Sequence, residues 1–230
     1  MKNVCVILLV FMMGAAVQAD LMSQPYLAGQ FNGWNPGSTQ MTQTAPGSGI
    51  WTYPITGRTP GAFEGFKVTP GDWSTTKPAS DSWYNADSSG NVTITFNTNV
   101  VEDGWITKQF RIGVSTEPGT WSVVGNFNGW NNADPAQLMT SLGGGIYSLT
   151  QTMAAGNWDL KPVWTGSWRG IGTEGRSQDA WNYNLSLASP SQVKVSVDAY
   201  GGVMKVEVIP EPATMMLLGL GSLFLARRKK

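Results

Sequence analysis

Each half of the chain carries a tryptophan just after an Asn-Gly pair, a lysine near the middle and a second tryptophan six or seven positions beyond that lysine. These are Trp34, Lys67 and Trp73 in the first half and Trp130, Lys161 and Trp168 in the second. A sugar ring presents a flat face of polarised C–H groups, and an indole offers an apolar, electron-rich platform against it. Lysine and asparagine side chains can hydrogen-bond the hydroxyls around the ring edge and so fix its orientation. Two platforms set at an angle would grip a curved chain. The chain has 11 tryptophans, all between Trp34 and Trp181, and a small core accommodates few such rings, so several are expected at the surface. Trp51, Trp121 and Trp158 stand in strand-like contexts and are core candidates, as are Phe31 and Phe127. The alternative for Lys67 and Lys161 is an ordinary solvated strand residue.

The residue inventory excludes other chemistry. The chain has no histidine, and its single cysteine, Cys5, lies in an apolar leader. Without imidazole or thiol there is no Ser-His-Asp or Cys-His catalysis, no His/Cys zinc site, no haem ligation and no disulfide. A glycosidase needs two carboxylates about 5–9.5 Å apart in a cleft, whereas Asp72, Asp81, Glu102, Asp103, Asp159 and Glu174 are dispersed. A calcium loop over Asp81 to Asp87 lacks the Asp-x-Asp-x-Asp-Gly order. The central part of the chain is slightly acidic with no basic run, which argues against nucleic acid as a partner. The expectation is a protein that is not an enzyme and carries no cofactor and no metal.

The two ends read as addresses. Lys2 precedes an apolar run from Val4 to Val17, and Val17-Gln18-Ala19 places small residues at the −3 and −1 positions that signal peptidase accepts, so export with cleavage after residue 19 is expected. At the other end Pro210-Glu211-Pro212 is followed by an apolar stretch, Ala213 to Ala226, and then by Arg227, Arg228, Lys229 and Lys230. Fourteen helical residues span about 21 Å, short of the ~30 Å hydrocarbon core, so the segment makes at most a marginal or transient inner-membrane anchor with its cations on the cytoplasmic side. Pro-Glu-Pro, a short apolar helix containing Gly219 and Gly221 and a terminal basic cluster together resemble the PEP-CTERM sorting tail of exopolysaccharide-producing Gram-negative bacteria. That resemblance implies recognition by an exosortase, removal of the tail near Pro210 to Pro212, and delivery to the cell surface or extracellular matrix. A plain membrane anchor is the alternative.

Between these ends the chain repeats itself. Gly29-Gln30-Phe31-Asn32-Gly33-Trp34-Asn35 returns with one change as Gly125-Asn126-Phe127-Asn128-Gly129-Trp130-Asn131, and Gly49-Ile50-Trp51 returns as Gly145-Ile146-Tyr147. Lys67 pairs with Lys161, Trp73 with Trp168, and Asn91-Val92-Thr93-Ile94 with Asn184-Leu185-Ser186-Leu187, all at offsets of 93 to 96. Order and spacing persist along the whole unit, which indicates a duplicated domain rather than a short-period solenoid. The expected division is 1–19 signal peptide, 20–108 first module, 109–209 second module and 210–230 sorting tail.

Within each unit, short alternating segments such as Val92-Thr93-Ile94-Thr95-Phe96, Val193-Lys194-Val195-Ser196-Val197 and Val203-Met204-Lys205-Val206-Glu207-Val208 predict strands with one buried face. No amphipathic helical stripe occurs between the two ends. The expected fold is all-β, as two tandem immunoglobulin-like sandwiches.

Phe-Asn-Gly-Trp, the Gly-Ile-Trp or Gly-Ile-Tyr segment, and Lys161-Pro162-Val163-Trp164-Thr165-Gly166-Ser167-Trp168 together resemble the family 48 carbohydrate-binding modules, the AMP-kinase glycogen-binding domains and the starch-binding modules that flank pullulanases. That resemblance implies early-set immunoglobulin-like sandwiches that bind α-glucan through two tryptophans, a lysine and a polar residue near an Asn-containing strand. Carried over, the implied contacts are Trp34, Lys67, Trp73 and Asn91 in the first unit and Trp130, Lys161, Trp168 and Asn184 in the second. The first unit departs from the pattern by having one residue fewer between its lysine and second tryptophan, and Asn91 and Asn184 align only after gaps. The expected function is a non-catalytic, surface-sorted binder of α-glucan or exopolysaccharide. The alternatives are a structural or adhesion protein of the matrix with no sugar site, and an accessory subunit of a separate amylolytic enzyme.

Overall fold

The computed structural model describes residues 23–116 and 119–210. The expected signal peptide and the tail beyond Pro210 lie outside these residues.

Alternation sets which side chains point inward. In β6 (Val92–Asn97), Val92, Ile94 and Phe96 are buried while Thr93, Thr95 and Asn97 face away from the core. In β15 (Ser191–Asp198), Val193, Val195 and Val197 are buried. β8 (Trp121–Gly125) departs from the period-two expectation, because it is buried on both faces and Ser122 is as enclosed as Trp121. The Ser122 hydroxyl is satisfied by Thr165 Oγ1 at 2.9 Å, as a buried polar group requires.

The first repeat supplies two antiparallel sheets. One runs in the order β1 (Tyr26–Gly29), β4 (Phe63–Thr69), β5 (Lys77–Asn85), and the other in the order β2 (Thr42–Gln43), β3 (Ile50–Ile55), β6, β7 (Arg111–Val114). The second repeat supplies the other two. β13 (Gly175–Ser177), β12 (Gly170–Gly172), β11 (Gly156–Trp164) and β14 (Tyr183–Leu187) form one, with β8 also paired to β11. β16 (Val203–Ile209), β15, β10 (Ile146–Met153) and β9 (Thr140–Gly143) form the other.

The all-β expectation agrees with this arrangement, but the expectation of two tandem immunoglobulin-like sandwiches is corrected by it. The strands gather into four separate sheets, a four-bladed, propeller-like arrangement in which each blade draws on non-adjacent stretches of its repeat. Nor do the repeats follow one another as separate beads. β7 lies past the expected boundary at residue 108, yet it pairs with β6 of the first repeat. Trp83, on β5 of the first repeat, is fully buried in the core otherwise built from Trp121, Tyr147, Leu160 and Val195 of the second. A second core holds Leu27, Trp51, Phe66, Tyr84, Ile94 and Phe96. Residue alternation reports one buried face per strand. It is silent on the other face of β4 and β5, and there Phe63 and Trp83 are apolar as well.

That other face joins the repeats. The Trp83 ring stands 6.1 Å from Trp121, and its indole N–H donates to the carbonyls of Gly170 (3.3 Å) and Ser177 (3.2 Å). The Arg176 guanidinium lies 4.3 Å over the same ring and donates to the Ala199 carbonyl. Phe63 stacks on Trp164 at 4.2 Å, with Arg169 4.9 Å above it. The seam is extended by backbone bonds from Gln178 N–H to Asp81 O (2.8 Å), from Ile106 N–H to Met204 O (2.9 Å) and from Val114 N–H to Tyr200 O (2.9 Å). Near it, Arg111 grips both oxygens of Asp103 at 2.6 and 2.7 Å, holding that carboxyl at about 2 against its ordinary 3.8.

Removing the Trp83 ring would leave a large cavity, and Trp83→Ala is expected to cost about 3–5 kcal/mol. The wild type should melt in one transition by calorimetry, and the variant should melt much lower or in two steps. The Asp103–Arg111 contribution is present above the carboxyl's unfolded value of about 4 and is lost as pH falls toward 2. In thermal melts between those pH values, Asp103→Asn should therefore decline less steeply than the wild type.

Candidate functional site

The Phe-Asn-Gly-Trp loops come first, because their backbone constrains the rings. In both repeats the Gly and the following Trp adopt left-handed conformation: φ is 65° at Gly33 and 62° at Trp34, and 62° at Gly129 and 61° at Trp130. A bulky residue in this region is strained and persists only where its surroundings over-determine it. The asparagine before the glycine provides that restraint. Asn32 Oδ1 accepts from Gly29 N–H at 2.9 Å, while its Nδ2 donates to the carbonyls of Leu27 (2.9 Å) and Asn35 (3.0 Å). Asn128 does the same from Gly125 (3.1 Å) to Asn131 (3.0 Å). The Trp34 and Trp130 N–H groups then close onto Gly29 O and Gly125 O at 2.8 and 2.9 Å. Much of this motif therefore serves the loop itself.

Both tryptophans at these loops are half-buried. The Trp34 ring lies over Gly65 of β4, 3.5 Å from where a Cβ would project, and the Gln178 amide of the second repeat occupies the same side. Trp73 and Trp168 are 49% and 50% exposed, and Trp181 is 59% exposed. Trp181 was missed by the reading of the sequence. It follows the β12–β13 hairpin, where the second repeat is longer than the first, so the constant offset of the repeat gave it no partner.

The two lysines are tied down in matching ways. Lys67 Nζ donates to Ala79 O and sits 3.4 Å from the Asp81 carboxylate, with the side chain 15% exposed. Lys161 Nζ donates to Ala180 O at 2.7 Å. Burial pushes the Lys161 ammonium down from its ordinary value, opposed by the nearby carboxylates of Asp179 and Glu174, and burial pushes Glu174 up. Neither lysine is an ordinary solvated strand residue. Each cross-ties two segments of its sheet, and each ammonium carries three donors, so one bond to a carbonyl leaves capacity for a ligand hydroxyl.

The two asparagines are not brought together with their respective tryptophans as equivalents. Asn91 lies in a turn where its N–H donates to Asp87 Oδ1 at 2.8 Å, just ahead of β6. Asn184 lies within β14, donating to Asp159 Oδ1. By pairing, β6 on β3 corresponds to β15 on β10, whereas β14 on β11 corresponds to the latter part of β5 on β4. Asn184 opposite Asp159 thus takes the place of Trp83 opposite Gly65. The β12–β13 hairpin of the second repeat makes the difference, because it lengthens the chain and slides the later alignment onto the wrong strand.

The hairpin also makes the two faces unequal. Ser177 Oγ meets Ser80 Oγ at 2.5 Å, and Gln178 pairs with Asp81, so the outer face of β4 and β5 is covered by the second repeat around Lys67 and Trp34. In the second repeat Lys161 stands on β11, Trp168 follows in the β11–β12 turn, and Trp181 is next along the chain to the carbonyl that Lys161 holds. Exposed indoles such as Trp168 and Trp181 can stack on sugar rings, and a lysine ammonium can hydrogen-bond a ring's edge. Among the described residues no group of three or more His, Cys, Asp or Glu could hold a metal, and no helix is long and apolar enough to cross a membrane.

Of the sorting residues, Pro210 is exposed directly after β16, while Glu211, Pro212, Arg227, Arg228, Lys229 and Lys230 lie outside the described residues. Comparison with known families matches residues 208–230 to the PEP-CTERM protein-sorting motif. The tail is therefore a sorting signal of the exosortase-dependent export route, which leads to the cell surface. A segment of 86 residues, 36% of the chain, is 37% identical to part of a protein named alpha-amylase from Niallia circulans. The match spans 7% of that much longer relative, and it is a carbohydrate-related likeness of one segment.

The strained loops generate a stability test. Glycine accepts left-handed backbone without a Cβ clash. Trp130→Gly should therefore be more stable than Trp130→Ala by about 1 kcal/mol in denaturant titrations, the reverse of their order at an ordinary strand position.

Proposed function

We propose that this protein is exported, sorted to the cell surface and holds polysaccharide there without cleaving it, through Lys161, Trp168 and Trp181 of the second repeat. The observation that carries the reading is a pair of half-exposed indoles, Trp168 in the turn that follows the strand of Lys161 and Trp181 next along the chain to the carbonyl that holds this lysine. The segment likeness to a protein named alpha-amylase supports a carbohydrate ligand, and the sorting motif supports the destination. The ligand class is α-glucan or the host's own exopolysaccharide.

The repeats divide the work in this reading. The second presents the sugar platform, and the first, with Lys67 salt-bridged and Trp34 flanked by Gln178, serves chiefly as the scaffold against which the second is braced. Trp73 remains open and would contribute a peripheral contact. A matrix spacer with no retained sugar site is the competing reading, favoured by the covered face of the first repeat.

Titrating the mature chain with maltoheptaose, and separately with host exopolysaccharide, should quench tryptophan fluorescence. Trp168→Ala and Trp181→Ala should each weaken binding about three- to tenfold, the worth of one aromatic stack, and prolonged incubation should release no new reducing ends. Quenching that neither substitution alters, or none with either polysaccharide, would leave the spacer as the function.

A further inference from the structure

A groove of about 370 Å³ lies at the junction of the two repeats, lined by the outer faces of β6 and β7, the segment around Trp105, and the Asp198-to-Val203 turn of the second repeat. Its volume is within the range of small-ligand clefts, about 300–1,000 Å³. The floor is a row of side chains at alternate positions of β6, namely Thr93, Thr95 and Asn97, which period-two geometry places on one face about 7 Å apart. Among the described residues the hydroxyls of Thr93 and Thr95 take no protein partner. Gly113 forms the back wall, where a Cβ would stand 2.8 Å from Tyr200 O, so the strand and the turn approach as closely as backbone allows.

Trp105, half-buried, borders this polar floor, and Tyr200 closes its far end with its backbone while its ring rests against Gly145. The charges in the wall are already engaged. Asp103 is held by both ends of the Arg111 guanidinium, whose Nε also donates to Thr107 O at 2.6 Å. The Asp198 carboxylate caps its own turn by accepting from the N–H groups of Tyr200 (3.0 Å) and Gly201 (2.7 Å). A hydroxyl- and amide-lined floor bordered by Trp105 suits a ligand with many hydroxyls and an apolar ring face. The wall offers no unpaired cation to an anionic chain, and the Asp198 carboxylate repels one.

We infer that this junction groove is a second carbohydrate site, one that takes a short neutral oligosaccharide segment. It is made jointly by the two repeats and is separate from the Lys161–Trp168–Trp181 face. It shares the carbohydrate reading of the proposed function but uses none of the same residues. A polymer engaging both places would gain from the fixed separation between them.

The test is amide chemical-shift mapping on the mature chain with maltoheptaose, cellohexaose and mannohexaose in turn. With at least one of them, shifts are expected at residues 93–97 and 198–203, abolished by Thr95→Arg, which fills the groove, and by Trp105→Ala, but kept in Trp168→Ala. A thermal melt close to that of the wild type shows that each variant is folded, and Thr95→Arg carries the test alone should Trp105→Ala fail to fold. Shifts confined to residues 161–181 would overturn the groove and leave the platform site standing. Groove shifts that persist in Thr95→Arg would overturn it as well, and no shift in either region with any of the three sugars would overturn both.

Discussion

Burial of Trp83 is the constraint on which the rest of the molecule depends. This ring comes from the first repeat, yet it is enclosed by the second, with its N–H shared between two carbonyls and the Arg176 guanidinium lying over one face. A buried indole needs a partner for its N–H, and the β12–β13 hairpin provides the two acceptors. An aromatic group of that size cannot be returned to water cheaply, so the repeats are obliged to stay in one relative position. The Phe63–Trp164 stack and the backbone bonds across the seam then follow in register.

The same constraint explains why two nearly identical motifs end in different circumstances. Docking that anchors Trp83 lays the second repeat over the outer face of β4 and β5, which brings Gln178 beside Trp34 and leaves Lys67 with Asp81. The corresponding face of the second repeat is closed at Ser122, Val124 and Val163, and its exposed indoles, Trp168 and Trp181, stand outside the paired strands. The repeats also enclose a polar groove at their junction, which neither could form alone.

Several features were legible in the residues themselves. The all-β character follows from period-two burial, visible in Val92, Ile94 and Phe96 against Thr93, Thr95 and Asn97. The duplication is plain in the two Phe-Asn-Gly-Trp loops, and the tail carries its own sorting motif. What misled was the assumption that strands with one apolar face must close into separate immunoglobulin-like sandwiches, and that a constant offset identifies structural equivalents. Trp83 and Phe63 lie on a second apolar face of the same sheet, and the extra hairpin shifts Asn184 onto a strand that does not correspond to that of Asn91.

By itself, then, the sequence determined strand content, the repeat, the loop strain at Trp34 and Trp130 and the address, because each depends on residues near one another along the chain. The tertiary structure alone decided that four sheets share two cores, that Trp83 crosses between repeats, and that Gln178 comes to lie beside Trp34. These outcomes depend on which apolar faces find each other across more than eighty residues of chain, and local periodicity carries no information about that choice.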